Sequence, residues 1–228
     1  MTKQKKSLTH DAILKALDWS YDKAVNGGIP GIDTAIELAE NYRRKGGSLE
    51  EQVTSLIRWQ NTKSATSGFL SGLGGIVTLP VAVPANITSV ILVQMRMVAA
   101  IAHMGGYDVK DDQVKSFVYA CLAGNSAKDI LKNAGIQIGR KLAVTGIKRI
   151  PYEIIKKINQ AVGYRLLTKF GEKGILNLGK MVPLAGGIIG GTVDAVSTNI
   201  VGKAAMKLFI EDPIAGNEEE EPIIIDMQ

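Results

Sequence analysis

Apolar residues recur at three- and four-residue steps along nearly the whole chain, and nowhere do they alternate in twos between turn signals. That pattern predicts an all-α fold, a compact multi-helix domain. Thr9 is placed to cap a first helix over about 10–25, with Ile13, Leu14, Leu17 and Tyr21 on one stripe. The turn Asn26-Gly27-Gly28-Ile29-Pro30-Gly31 ends it. A second helix is expected from about Asp33 to Lys45, closed by Gly46-Gly47. Ser48 and Glu51 make a capping box for a third helix that runs on toward Ser67. After the Gly-rich apolar block 68–83, Pro84 opens a long helix to about Met104. Further helices are expected over 111–123, 125–148 and 151–170, the last separated from its predecessor by Pro151. A final one fits Pro183 to about Ile210.

Two blocks are unusually apolar. Ser64–Met95 contains no charged side chain, yet Pro80 and Pro84 lie inside it and would break a single straight membrane span. Two half-length pieces joined by Leu-Pro-Val-Ala-Val-Pro suit a buried helical hairpin or a re-entrant one. The second block, Met181–Gly202, is interrupted only by Asp194. Soluble core, reversible insertion and a constitutive span are all readings of these blocks that composition leaves open.

The closing helix carries a small-residue face. Gly187, Gly191, Asp194, Thr198, Gly202 and Ala205 fall on one side, and the paired Gly-xxx-Gly spacing lets a neighbouring helix approach closely. Asp194 on that face needs a partner, because a buried lone carboxylate is costly. Ser89, Arg96 and His103, spaced by seven, form one polar stripe on the helix after Pro84. Either the stripe faces water, or Arg96 pairs with Asp194 and marks a polar site in an apolar interior. Arg96, His103 and Asp194 are therefore the candidate residues for holding a ligand headgroup.

Charge adds a second candidate. The seven acids from Glu211 onward, with no Lys or Arg among them, leave residues 1–210 at a net charge of +12. Within them Lys128–Lys180 is strongly basic. Arg140, Lys141, Lys148, Arg149, Lys156, Lys157 and Arg165 fall about every eight residues between apolar ones. Eight residues rotate a helix by only ~80° beyond two turns, so the cations drift slowly around it. A solvated face and a surface that binds anionic membrane lipid both fit. Nucleic acid is not expected, since aromatics for base stacking are scarce and no DNA-reading motif occurs. The acidic tail could compete for the same basic surface.

No catalytic constellation is present. Gly72-Leu73-Gly74-Gly75 lacks the third glycine of a dinucleotide fingerprint, and no phosphate-loop Gly-Lys-Ser/Thr follows it. His10, His103 and Cys121 cannot make a common zinc site, so neither metal nor cofactor is expected. Cys121, in an apolar context, reads as a buried inert thiol. The basic N-terminus leads into an amphipathic helix rather than a signal core, so a cytoplasmic protein is expected. The expected organisation is an N-terminal helix and turn (1–30), a helical domain (31–210) and a disordered acidic tail (211–228).

Residues 68–109 carry a Gly-rich entry, the Leu-Pro-x-x-x-Pro turn, a Gln-x-Arg-Met helix and an Ile-Ala-x-x-x-Gly-Tyr-Asp exit. This block strongly resembles the signature of EcsC-family proteins, and residues 182–209 resemble the family's closing helix. The resemblance implies an α-helical bacterial protein of the cytoplasm or the inner membrane face. The family takes its name from a protein encoded beside an ABC transporter. It has no established enzymatic activity, so no catalytic residues carry over. The first functional expectation is a non-catalytic helical protein that associates with the inner membrane surface or binds a lipid-like apolar ligand. The alternative is a soluble interaction module regulating a membrane transporter or another protein partner. An enzyme acting on a lipid-like substrate around Arg96, His103 and Asp194 comes third.

Overall fold

The computed structural model describes residues 8–65, 83–136, 147, 149–171 and 189–211, and within these the side chains except those of 63–65, 86 and 189–195. The described secondary structure is entirely helical. It comprises α1 (His10–Asn26), α2 (Ala35–Arg43), α3 (Leu49–Ala65), α4 (Ala85–Met104) and α5 (Asp112–Leu122). A 3₁₀ turn (Gly124–Ser126) leads into α6 (Ala127–Asn133), followed by α7 (Tyr152–Phe170) and α8 (Ile189–Phe209).

Local chemistry sets most helix starts. Thr9 Oγ1 accepts from the Ala12 amide at 3.2 Å and opens α1. Ser48 and Glu51 cap α3 reciprocally, at 2.9 and 3.2 Å. Thr34 and Glu37 do the same for α2, which therefore starts two residues later than the expected Asp33. Pro84 precedes α4 and Pro151 precedes α7, each in extended geometry that suits a helix entry.

The expected helix over 125–148 is corrected by the structure. α6 stops at Asn133, where Gly135 takes φ 93° and its amide bonds to Lys132 O. The Ile136 amide reaches back to Leu131 O, which completes a Schellman ending that only an easily left-handed residue tolerates. Residues 137–146 lie outside the described chain, as do the Gly-rich block 68–82 and residues 183–188 of the expected final helix.

α4 is the axis of the core. It packs against α1, α2, α3, α5 and α8, while α7 covers α1, α5 and α6. Ile91, Met95, Met97, Val98, Ile101 and their neighbours are almost wholly buried, each side chain contributing about 1.5–3 kcal/mol of hydrophobic stabilisation. Among the described residues, one helical window, Ile87–Met104, is long and apolar enough to cross a membrane, and 89% of it is buried inside the protein. The second half of the first apolar block is thus core. α1 joins the same core through Ile13, Ala16 and Leu17. Tyr21 Oη donates to Val109 O at 2.6 Å and Tyr119 Oη to Asp18 Oδ1 at 2.9 Å, tying α1 to α5 and the loop before it.

Candidate functional site

The outer face of α7 carries the basic candidates. Ile155, Ile158, Val162 and Leu166 turn inward and fix the helix's rotation. That leaves Lys156, Lys157, Gln160, Tyr164 and Arg165 exposed, with Arg149 exposed just ahead of the helix. Tyr152 and Tyr164 are 75% and 61% accessible, unusually open for side chains of that size. None of Arg149, Lys156, Lys157 and Arg165 has a carboxylate within 4.0 Å among the described residues. Arg140, Lys141 and Lys148 lie outside them. The face therefore carries cations and amphipathic aromatic rings with Glu153 among them, and none of the four cations is ion-paired among the described residues.

The start of α1 stiffens this stripe. The His10 ring stacks on Tyr164 with centroids 4.1 Å apart and planes 26° from parallel. Its Nε2 lies 3.1 Å from Gln160 O. Gly163 permits the approach, since a Cβ there would stand 2.6 Å from His10 Nε2. Position 163 must lack a side chain if α1 and α7 are to keep this distance.

The second candidate, around Arg96, is arranged differently from the sequence expectation. Ser89 and Arg96 are buried, so the polar stripe does not face water. Around Arg96 the reason is α2, which packs on α4 with Ala35, Leu38, Ala39 and Tyr42 buried. Arg96 Nη1 donates to Asp33 O at 3.2 Å, and Nε has no hydrogen-bond partner among the described residues. Burial pushes the Arg96 pKa below the ordinary guanidinium value, opposed by the Asp33 carboxylate and then Tyr42. Ser89 Oγ turns back to Ala85 O at 2.8 Å.

His103 is two turns further on, about 10 Å along the helix from Arg96. Its Nε2 sits 3.5 Å from Glu40 Oε1, which also binds Arg43 at 3.1 Å. Arg43 Nη2 in turn donates to the carbonyls of His103 and Met104. This cluster closes the end of α4 against α2. Asp194 lies on α8, in the stretch whose side chains are outside the described residues. α8 meets α4 through Gln94, and two residues along a helix turn the side chain by about 200°. Arg96 Nη1 is engaged on the α2 side and His103 at the Glu40–Arg43 cluster, while the expected pairing of Arg96 with Asp194 falls outside the described residues.

The contact through Gln94 escaped the sequence reading. Gln94 Nε2 donates to Ser197 Oγ and Thr198 Oγ1, each at 3.2 Å. Lys169 Nζ donates to Ser197 Oγ at 2.7 Å. The network joins α4, α7 and α8 through a polar seam, with Gln94 and Thr198 buried. Thr198 was legible as a small residue on the face of α8, but its polar partners come from two other helices. The two exposed tyrosines of α7 were equally silent, because only the packing decides which tyrosines reach the surface. Among the described residues no three His, Cys, Asp or Glu side chains are grouped as metal ligands would be.

With that geometry established, comparison with known proteins gives one match. A family model described as EcsC protein family matches residues 10–210. No curated protein and no solved structure matches the chain.

Proposed function

The chain belongs to the EcsC protein family, and from that footing we propose that it is a non-catalytic helical protein that associates with an anionic membrane surface from the cytoplasmic side. The observation that carries this reading is the outer face of α7. Arg149, Lys156, Lys157 and Arg165 are exposed, with no carboxylate partner among the described residues, near the open rings of Tyr152 and Tyr164. Cations held near an anionic bilayer gain about 1 kcal/mol each. Tyrosine rings settle at the headgroup level, where one end is apolar and the other wet. The combination suits peripheral attachment. Burial of the apolar α4 window inside the protein supports attachment without a span through that helix.

Vesicle flotation tests the reading. The purified protein should float with anionic vesicles at physiological salt, stay down with zwitterionic ones, and release at high salt. Flotation that survives high salt would replace peripheral attachment by insertion of the apolar blocks. Protein that stays down with both lipids would overturn the reading in favour of an interaction module for a protein partner.

A further inference from the structure

A second surface carries chemistry that the α7 face does not explain. Between the end of α2 and the outer side of α3 lies a cleft of about 300 Å³ lined by Tyr42, Lys45, Ser55, Arg58, Trp59 and Thr62. Five of the six are exposed, Trp59 by 51%, and only Tyr42 forms a buried back wall. The positions follow from α3: Ser55, Arg58, Trp59 and Thr62 share one face at steps of three and four. The opposite face, with Val53, Leu56, Ile57 and Gln60, is buried.

The lining is one-sided in its chemistry. Lys45 and Arg58 bring only donors and positive charge, Trp59 brings an N–H donor, and three hydroxyls complete the set. No carboxylate among the described residues lines the cleft. Among the described residues neither cation has a carboxylate within 4.0 Å. Lys45 Nζ instead rests over the Tyr42 ring, 3.7 Å from its centroid, the attraction available to a cation that faces no anion. Glu51, the nearest acid along this face of α3, is committed to capping Ser48. Behind Tyr42 the buried charge of Arg96 adds to the positive field. The complement of such a cleft is a compact anion rich in acceptors, with an apolar part to lie against the indole.

We propose that the α2–α3 cleft binds a phosphate ester, with Lys45 and Arg58 holding the phosphate and Trp59 flanking the organic group. Arg58 is the side chain suited to forked contact with two phosphate oxygens, and Lys45 supplies a mobile point charge. Ser55 can donate to a remaining oxygen, whereas the Thr62 hydroxyl already donates to Arg58 O at 3.1 Å. The site is separate from the α7 face, because α3 packs on α2, α4 and α8 whereas α7 packs on α1, α5 and α6.

Isothermal titration calorimetry of the full chain with glycerol 3-phosphate and with monomeric dihexanoyl phosphatidic acid tests the proposal. Saturable binding is expected, and the exposed pair Lys45→Gln/Arg58→Gln should weaken it at least about tenfold, the loss of one charge-assisted contact. Lys156→Gln/Lys157→Gln/Arg165→Gln should leave this affinity unchanged, which separates the cleft from the α7 reading whichever way the latter falls. Tighter binding of the dihexanoyl ligand, lost in Trp59→Ala, assigns a lipid headgroup as the source; equal affinities assign a soluble phosphate ester. Absence of binding to both, or affinity indifferent to Lys45→Gln/Arg58→Gln, overturns the proposal.

Discussion

Ile57 and Gly202 meet where α3 crosses α8, so closely that a Cβ added at Gly202 would stand 2.8 Å from Ile57 Cγ1 and 2.9 Å from Cγ2. Those atoms are the branch of a buried side chain and cannot swing aside as a flexible tip would. Gly124 approaches Ile200 of α8 in a similar way, 2.9 Å from Cγ2 to an added Cβ. The absence of side chains at these two glycines therefore fixes how deeply α8 seats.

Gly202→Ala should destabilise the protein despite the better helix propensity of alanine. Propensity returns about 1 kcal/mol, while overpacking costs about 1–3 kcal/mol. A lower urea midpoint is expected, and Gly202→Ala should cost little or nothing further when it is made in an Ile57→Ala chain, so that the two changes are non-additive. An unchanged or higher midpoint for Gly202→Ala alone would refute the contact.

The stripe of small residues on α8 is legible in the sequence because helical spacing alone puts Thr198, Gly202 and Ala205 on one side. That the helix received there is α3 is not legible, since no local signal links Ile57 to a residue so far along the chain. Arg96 illustrates the same limit. A spacing of seven places it with Ser89 and His103, yet whether water or α2 covers that line depends on the loop Gly27–Gly31 bringing α2 back over α4. The caps at Thr9 and Ser48 are readable for the opposite reason: their partners are three residues away. Gly135 misled because an isolated glycine is tolerated within a helix, and only its positive φ marks an ending. Of the basic candidates, Lys156, Lys157 and Arg165 are exposed on α7, with Lys156 about half a turn around the helix from Arg165.

Two phenols should make stability fall at high pH. Burial, reinforced by Asp108, Asp112 and Asp111, pushes the Tyr21 pKa well above the ordinary phenol value. Burial and the hydrogen-bonded Asp18 carboxylate do the same for Tyr119. In the unfolded chain both phenols lose their protons near pH ~10, whereas in the folded protein they keep them. Below that pH the two states bind equal protons and stability is unaffected. Above it the folded state binds more, so stability falls by up to about 1.4 kcal/mol per pH unit for each phenol. Urea unfolding at pH 9 and pH 11 measures the drop. Tyr21→Phe/Tyr119→Phe should flatten it, and a drop of the same size in that variant would refute the assignment.

Cys121 is fully enclosed in α5 and its thiol pKa is raised by burial alone. Reaction with a thiol reagent needs the thiolate and access, and the fold denies both. Native protein should remain unlabelled by dithionitrobenzoate over hours at pH 8 and label within minutes in denaturant. Prompt labelling of the native protein would mean that α5 opens far more easily than its packing between α4, α7 and α8 implies.

The acidic tail and the basic face should have opposite effects on binding to anionic vesicles. Replacing Lys156, Lys157 and Arg165 together by glutamine removes three exposed charges, worth about 3 kcal/mol at an anionic surface, or roughly a hundredfold in partitioning. Deleting Glu218–Glu221 removes four negative charges from the same chain and should strengthen partitioning, provided the tail competes with lipid for α7. The two changes need not be additive: if the tail acts by covering α7, its deletion should help the wild-type face and do little once that face is neutralised. Sedimentation of all four combinations with anionic vesicles at two salt concentrations separates the cases. Equal strengthening on both backgrounds would assign the tail a general repulsion from the membrane, and no effect on either would leave it without a part in attachment.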